Sequence, residues 1–393
     1  MVESAETKNI GLRGITVADT KISKVDGAAG LLYYRGYSIL DLAENSTFEE
    51  TANLLLYGDL PNRRYLKIFD RILKGNRDIP EDLKHTLRER PAGAGIMNVL
   101  QAAIPLLADH DPRAGDDSKT ANYDRAIQLI AKLPTIVAYR DRVRRGLPPV
   151  EPRQDLSHAA NFLYMLNGKE PDPGAARDFD VCLVLHADHT FNASTFSARE
   201  VASTRASMYA AASAAVGALS GDLHGGANTR VMEMLLKIGK PEDVDSWVKN
   251  ELEGGGKIFG MGHAVYKTWD PRAKVLGPMC KRLGEAAGDT KWYDLSTKVM
   301  EAAQREMKQL KGVDIYPNVD FFGASVYYQL GIPVELNTAM FALSRIAGWC
   351  AHVIEEKFAE AQPKPALYRP RAEYIGNYCG PEGCVFKPLK DRE

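Results

Sequence analysis

The chain has 393 residues, and its 50 basic and 51 acidic side chains leave a formal net charge of −1. At roughly 150 residues per domain this is about two or three domains' worth of chain, and a composition 45% hydrophobic and 26% charged excludes wholesale disorder. Near-neutral charge argues against a nucleic-acid binder, and no apolar run reaches the roughly 18–20 residues that a membrane span needs.

The densest basic cluster, Arg140 to Arg145, is interrupted by Asp141 and Val143 and reads as a solvated helix face. The opening MVESAETKNI has neither an apolar core nor an arginine-rich amphipathic pattern, so no targeting peptide is expected. Cys182, Cys280, Cys350, Cys379 and Cys384 are scattered, which points to reduced thiols and a cytoplasmic protein. The spacing of Cys379 and Cys384 would close a small loop if they were oxidised.

In chain order, Ile15 to Val25 alternates and is rich in β-branched residues, Asp26 to Gly30 supplies turn chemistry, and Leu31 to Tyr34 follows as a second short strand. Ser46 and Thr47 ahead of Glu49 and Glu50 form a capping-box pattern for a helix that Gly58, Asp59 and Pro61 end. Residues 94–108 form an apolar helix kinked by Pro105, and Asp109 to Lys119 is a surface loop. Helices are expected over Ala121 to Arg144 and Asp155 to Leu166.

Ser197 to Leu219 carries Ala198, Ala202, Ala206, Ala210, Ala214 and Ala218 at a spacing of four. On one helix this makes a smooth ridge, suited to core packing or to pairing with a second copy across a dimer axis. Further helices are expected near 273–286, 293–311 and 320–330, then a long amphipathic one from Glu335 to Lys357 and an irregular tail. The fold is mainly α, with one short hairpin.

The chemistry concentrates in a few segments. His186 and His189 have a spacing that would put both rings on one helix face. With no clean third ligand, a structural role for His186 is preferred to a metal pair. His224 in Leu223 to Asn228 and His263 in Gly260 to Ala264 are each flanked by glycines. Glycine lets a ligand approach the main chain, and a histidine held at such a bend suits proton transfer. Gly254 to Lys257 fails as a phosphate loop because Ile258 stands where Ser or Thr belongs, and no dinucleotide fingerprint is present. Asp320 precedes an apolar helix, and is either a helix cap or a general base. Phe341, Arg345, Trp349 and His352 share a face of the long helix, where Arg345 needs an internal carboxylate or a bound anion.

Six segments in one order carry a resemblance: LHADHTFNAST (185–195), LHGGAN (223–228), GMGHAVYKTWDPR (260–272), YPNVDF (316–321), FALSRIAGW (341–349) and YRPRAEY (368–374). From about Gly11 to Arg371 the chain resembles the citrate synthases of compact helical type, without an N-terminal regulatory extension. The resemblance implies condensation of acetyl-CoA with oxaloacetate and hydrolysis of citryl-CoA, with acetyl-CoA as a substrate and neither cofactor nor metal. It implies that Asp320 removes a methyl proton, His224 hydrogen-bonds the thioester oxygen and His263 polarises the oxaloacetate carbonyl. Arg272, Arg345 and Arg369 would clamp oxaloacetate, Arg369 from a partner subunit, with His189 and Phe341 as further contacts. Lys257, Gly260, Gly262 and Lys267 would meet CoA.

The resemblance also implies a large helical domain from residues 1–221 and 335–393, a mobile inserted domain over 222–334, and a homodimer with shared sites. Ala92 to Gly95 lacks the His-Pro common before Met97, and the tail from Asn377 onward matches nothing expected. The nearest alternative is a 2-methylcitrate synthase acting on propionyl-CoA. Its members tend to read Tyr-Ala-Glu-His at 186–189 and often have Pro at 264, where this chain has His186-Ala187-Asp188-His189 and Ala264. A citryl-CoA-cleaving enzyme or a non-catalytic CoA-binding helical dimer are further alternatives; the second would not be expected to keep Asp320, His224 and His263.

Overall fold

Only three residues of the expected first strand, Ser23 to Val25, are paired. In the computed structural model, which describes residues 10–12, 14–376 and 383–392, β1 spans Ser23–Asp26 and β2 Leu31–Tyr34, antiparallel with Ser23 opposite Tyr34 and Asp26 opposite Leu31. A third strand absent from the sequence reading, β3 (Tyr37–Ser38), extends the sheet in the order β1-β2-β3. Ser38 then caps the helix Ile39–Asn45 by accepting from the Leu40 amide. The rest is helical, with sixteen α-helices among the described residues. None of them is long and apolar enough to cross a membrane.

The local signals place most boundaries well. Thr47 caps the helix Phe48–Tyr57 by accepting from the Glu50 amide, and Gly58 ends it at φ 99°. Glu49 does not close the box; it is buried and accepts from the amide of His158 at 2.8 Å. Gly95 precedes the helix Ile96–Leu106, whose last turn holds Pro105. The helices Lys119–Arg144, Pro271–Ala287, Lys291–Lys311 and Val319–Gln329 lie where periodicity predicts, whereas the expected 155–166 helix starts later, at Ser157-capped His158–Asn167.

Four expectations are overturned. The alanine-rich stretch is two helices, Ala193–Ser203 and Met208–Leu219, broken at Arg205 (φ 66°) and restarted by the Ser207 cap. Ala198 and Ala202 therefore lie in the core, while Ala210, Ala214 and Ala218 lie on a half-buried face, so no single ridge exists. The Arg140–Arg145 cluster is not a solvated face. Arg140 donates to the carbonyls of Leu87 and Arg90, and Arg142 to those of Pro148 and Leu166. Both are buried, and their guanidinium groups satisfy carbonyls that helix ends leave without an intrahelical donor.

The long helix, Asn337–Lys357, is not amphipathic, because every residue from Asn337 to Glu356 is buried. Finally, Cys384 is disulfide-bonded rather than reduced, while Cys182, Cys280 and Cys350 are buried free thiols; Cys379 lies outside the described residues.

Burying the long helix on all sides strands its polar residues, and the fold pairs them. Arg199 meets Glu355 at 2.6 Å, Glu356 at 2.9 Å and His352 Nδ1 at 3.0 Å. His352 Nε2 lies 3.3 Å from Asp188, which also accepts from the Ser23 hydroxyl. Glu355 accepts from the Lys21 amide and Glu356 from the Tyr368 hydroxyl, both at 2.8 Å, so one network ties both chain ends to the long helix. Removing one partner of a buried ion pair costs about 3–5 kcal/mol, because it leaves a charge unpaired. Arg199→Met should lower the unfolding free energy by about that much in urea denaturation; a loss below about 1 kcal/mol, the range of a surface pair, would show that the network contributes little.

Candidate active site

Two glycine-bounded bends and two helix starts converge on one cavity of about 400 Å³. Its lining includes His189, Asn192, His224, Gly262, His263, Arg272, Asn318, Asp320, Phe341 and Arg345. A larger hollow of about 740 Å³ lies elsewhere, around Glu49, Asp180 and Arg177, and it contains no histidine and none of the predicted residues.

The first bend joins the helix Met208–Leu219 to the helix Ala227–Ile238. Gly225 sits so close to it that a Cβ would lie 2.1 Å from the Leu219 carbonyl oxygen, which leaves room for no other residue. The neighbouring His224 is held by Ser194, whose amide donates to Nε2 at 3.2 Å and whose hydroxyl lies 2.8 Å from the same nitrogen. A ring nitrogen that accepts an N–H carries no proton, so the ring's own proton is on Nδ1.

The second bend is pinned to the segment before Asp320. Gly262 N donates to Tyr316 O at 2.7 Å, Asn318 N to Gly260 O at 2.9 Å, and Asn318 Nδ2 to Gly262 O at 2.9 Å. Gly260 (φ 77°) abuts Phe321, with space for a Cβ only 2.9 Å from its Cα. His263 Nδ1 accepts from the amides of Val265 at 2.9 Å and Tyr266 at 3.1 Å. Its proton is therefore on Nε2, the opposite tautomer to His224. Burial, then the charge of Arg272, pushes His263 down to about 4; burial, then Arg345, does the same to His224. Both rings are neutral near pH 7, and each offers a single N–H.

Asp320 opens the helix Val319–Gln329 but does not cap it. The cap is Asn318, whose side chain accepts from the Asp320 amide at 2.9 Å, and Asp270 accepts from the Val319 amide at 3.2 Å. The capping alternative for Asp320 is thereby overturned: with the first-turn amides satisfied by others, its carboxyl group is left to the cavity. Burial raises it to about 6, against the lowering effect of Arg272.

Arg272 is buried against its own helix cap, Asp270, at 3.0 Å through Nε and 2.7 Å through Nη2. Arg345 is buried as well. Its Nε donates to the His186 carbonyl at 2.6 Å, and among the described residues it makes no ion pair. No carboxylate touches it among the described residues; burial lowers its pKa, and the charges of Asp188 and Asp320 act the other way from a distance.

His189 Nε2 lies 3.1 Å from the Tyr266 hydroxyl, with its ring centre 5.5 Å from that of His263. His186 turns away from His189: its Nδ1 donates to Cys182 O at 2.5 Å and its ring meets Phe341 edge-on at 4.0 Å, a structural role rather than a metal pair. Of the other predicted residues, Gly260 lies beneath the loop, Lys257 and Lys267 are exposed outside the lining, and Arg369 is exposed on the irregular tail. Sequence reasoning missed Asn318, Asp270, Ser194 and Tyr266 as supporting residues. Asn318 had a local signal, as a cap residue directly before an apolar helix.

Comparison with known proteins agrees with this geometry. A family described as "Citrate synthase, C-terminal domain" matches residues 11–371. The citrate synthase of Haloferax volcanii is 45% identical over 99% of this chain and 100% of its own length. The crystal structure of citrate synthase from Pyrobaculum aerophilum superposes with a TM-score of 0.87 at 39% identity, covering 97% of this chain and 95% of that one. A citrate synthase from Thermoplasma acidophilum, solved as a ternary complex with carboxymethyl coenzyme A and oxaloacetate, superposes at 0.87 with 30% identity, covering 96% and 98%. On this convergence of matched family, near-complete coverage and site geometry, the chain belongs to the citrate synthase family.

Proposed function

We propose that Asp320, His224 and His263 carry the condensation of acetyl-CoA with oxaloacetate in the cavity that they share. The observation that supports this most is the pairing of one carboxylate, raised by burial, with two neutral histidines of opposite tautomer. The enzyme is an acyltransferase that needs no cofactor; acetyl-CoA is its substrate.

Asp320 takes a proton from the acetyl-CoA methyl group while His224 Nδ1–H hydrogen-bonds the thioester oxygen, where charge gathers as the enol forms. Base and donor must act at opposite ends of one C–C=O unit, which is why they come from separate loops. His263 Nε2–H polarises the oxaloacetate carbonyl and gives it a proton as the carbon–carbon bond forms. Water then cleaves citryl-CoA to citrate and CoA. Positioned proton transfer contributes about 10² to 10⁴ in rate, and donors aimed at the developing oxyanion add to it.

Oxaloacetate is a dianion, and forked guanidinium groups match its carboxylates. Arg272 and Arg345 hold it from within the chain, with His189 and Phe341 beside it. Arg369, exposed here, completes the clamp from a second copy in a homodimer, for which the half-buried Ala210–Ala218 face is the surface we favour. Lys257 and Lys267 meet CoA phosphates at the mouth, Gly262 lets the substrate approach the backbone, and Gly260 beneath it shapes the loop by packing on Phe321. Residues 222–334 form the smaller domain, whose helices pack mainly on one another, and its closure on residues 1–221 and 335–393 excludes water before acetyl-CoA reacts. The three buried free thiols favour a cytoplasmic location, and the Cys384 disulfide counts against it.

Asp320→Asn should lower kcat by about 10² to 10⁴ while leaving oxaloacetate affinity nearly unchanged by calorimetry; lost binding with turnover retained would contradict the role. The base must be ionised, so kcat/KM should fall as pH drops through about 6, with no separate loss from the two histidines until about 4. A profile flat from pH 7 to 5 would show that burial does not raise the Asp320 carboxyl group as far as about 6. Thiol release should favour acetyl-CoA over propionyl-CoA, one methylene being worth about 10- to 200-fold; the reverse preference would mark a 2-methylcitrate synthase.

A further inference from the structure

Gly27 lies in the turn between β1 and β2, yet the turn itself does not require a glycine there. Its backbone is outside the left-handed region, whereas Gly30, at φ 67°, needs the freedom of glycine. What excludes a side chain at Gly27 is the segment that follows His263. A Cβ on Gly27 would sit 2.3 Å from the Val265 carbonyl oxygen, and one on Gly30 would sit 2.8 Å from that of Trp269. Between these two close approaches the Lys267 amide donates to the Gly27 carbonyl at 2.8 Å.

Little else holds residues 263–269. The bonds to Tyr316 and Asn318 pin Gly260 and Gly262, before the segment, and Asp270 caps the helix after it. Within it, the Val265 and Tyr266 amides turn inward to His263 Nδ1. Among the described residues only two hydrogen bonds leave the segment: Lys267 to Gly27, and the Tyr266 hydroxyl to His189 at 3.1 Å. The hairpin, by contrast, is held firmly. Ile22, Leu32 and Tyr34 are buried, the Ser23 hydroxyl meets Asp188 and the Thr190 amide, and the Tyr34 hydroxyl donates to the Asp188 carbonyl at 2.8 Å. A clash between the two would therefore displace the segment, in which Val265 is exposed, rather than the hairpin.

We propose that the β1–β2 turn is the seat on which the His263 segment docks, and that Gly27 is a positioning residue for catalysis. Its carbonyl holds the Lys267 amide, and its missing side chain lets the segment lie close enough to set His263 beside His189. The seat joins residues 1–221 to residues 222–334, so it forms as the smaller domain closes and parts as it opens. The catalytic half of this inference rests on the role given to His263 above; the docking does not. Relieving the overlap at Gly27 takes a retreat of about 1 Å, and a misplacement of that size can cost about 10²-fold in rate.

Two replacements test the seat from its two sides. Gly27→Ala puts a Cβ into the overlap. The α-hydroxy analogue of lysine at position 267 leaves the turn untouched, keeps the side chain and replaces the N–H by an ester oxygen. Hydrogen exchange is read over residues 22–34 and over 263–269 without position 267, and kcat is read from thiol release. Gly27→Ala should keep the protection of 22–34, lose that of 263–269 and lower kcat by about 10- to 100-fold. The ester enzyme should lose the same protection, with kcat lower by about 3- to 10-fold, the scale of one neutral hydrogen bond. His263→Gln measures the weight of His263 by itself.

A Gly27 that served only the hairpin would change protection over 22–34 and not over 263–269. Should Gly27→Ala unsettle the hairpin, the ester enzyme decides. Wild-type protection over 263–269 in the ester enzyme overturns the docking, whatever happens to kcat. Lost protection with undiminished kcat, where His263→Gln is impaired, overturns the positioning role. If His263→Gln also keeps its kcat, the role of His263 fails and the docking stands.

Discussion

The site is organised around Arg345, a buried guanidinium group that no carboxylate touches among the described residues. Arg272 and Arg345 both lie in the cavity wall, yet only Arg272 has a carboxylate in contact, Asp270. Leaving a guanidinium group in a low-dielectric wall is costly unless something pairs with it. A dicarboxylate substrate that gives one carboxylate to Arg345 removes that cost on arrival. The charges of the two arginines act on the titrating neighbours: they help to keep His189, His224 and His263 neutral and pull Asp320 back toward ionisation against burial.

Holding a free arginine in place requires a rigid support, and the long helix Asn337–Lys357 provides it. Surrounded on all sides, it presents Phe341 and Arg345 to the cavity, Trp349 to Ser194, and His352, Glu355 and Glu356 to the buried network around Arg199. The network joins β1 through Ser23 and Asp188, and the tail through Tyr368, the residue directly before Arg369. Site geometry and the path of the tail thus share one set of buried charges. The His263 loop is fixed separately, by backbone bonds to the segment that leads into Asp320.

What was legible in the sequence was local. Thr47 marks a helix start because its hydroxyl group serves a free amide nearby, and Gly58 ends that helix because it tolerates a positive φ. The residues of the cavity were legible as motifs, since glycines beside histidines signal close backbone approach. Destinations of long side chains were not. Nothing local tells that Arg140 ends on the carbonyls of Leu87 and Arg90, or that Glu49 serves His158, because those partners lie far along the chain. The alanine spacing misled for a related reason: a period of four persists in the text across Arg205, although the helix does not.

The most direct measurement of the role of Arg345 is calorimetric binding, without acetyl-CoA, of oxaloacetate and of pyruvate, which lacks the second carboxylate. It would be made on the wild type and on Arg345→Leu. With charge-assisted hydrogen bonds worth about 1.5–3 kcal/mol each, the wild type should bind oxaloacetate at least about a hundredfold more tightly than pyruvate, and Arg345→Leu should lose most of that difference. Equal affinity for the two ligands in the wild type, or a preference that survives in Arg345→Leu, would contradict it.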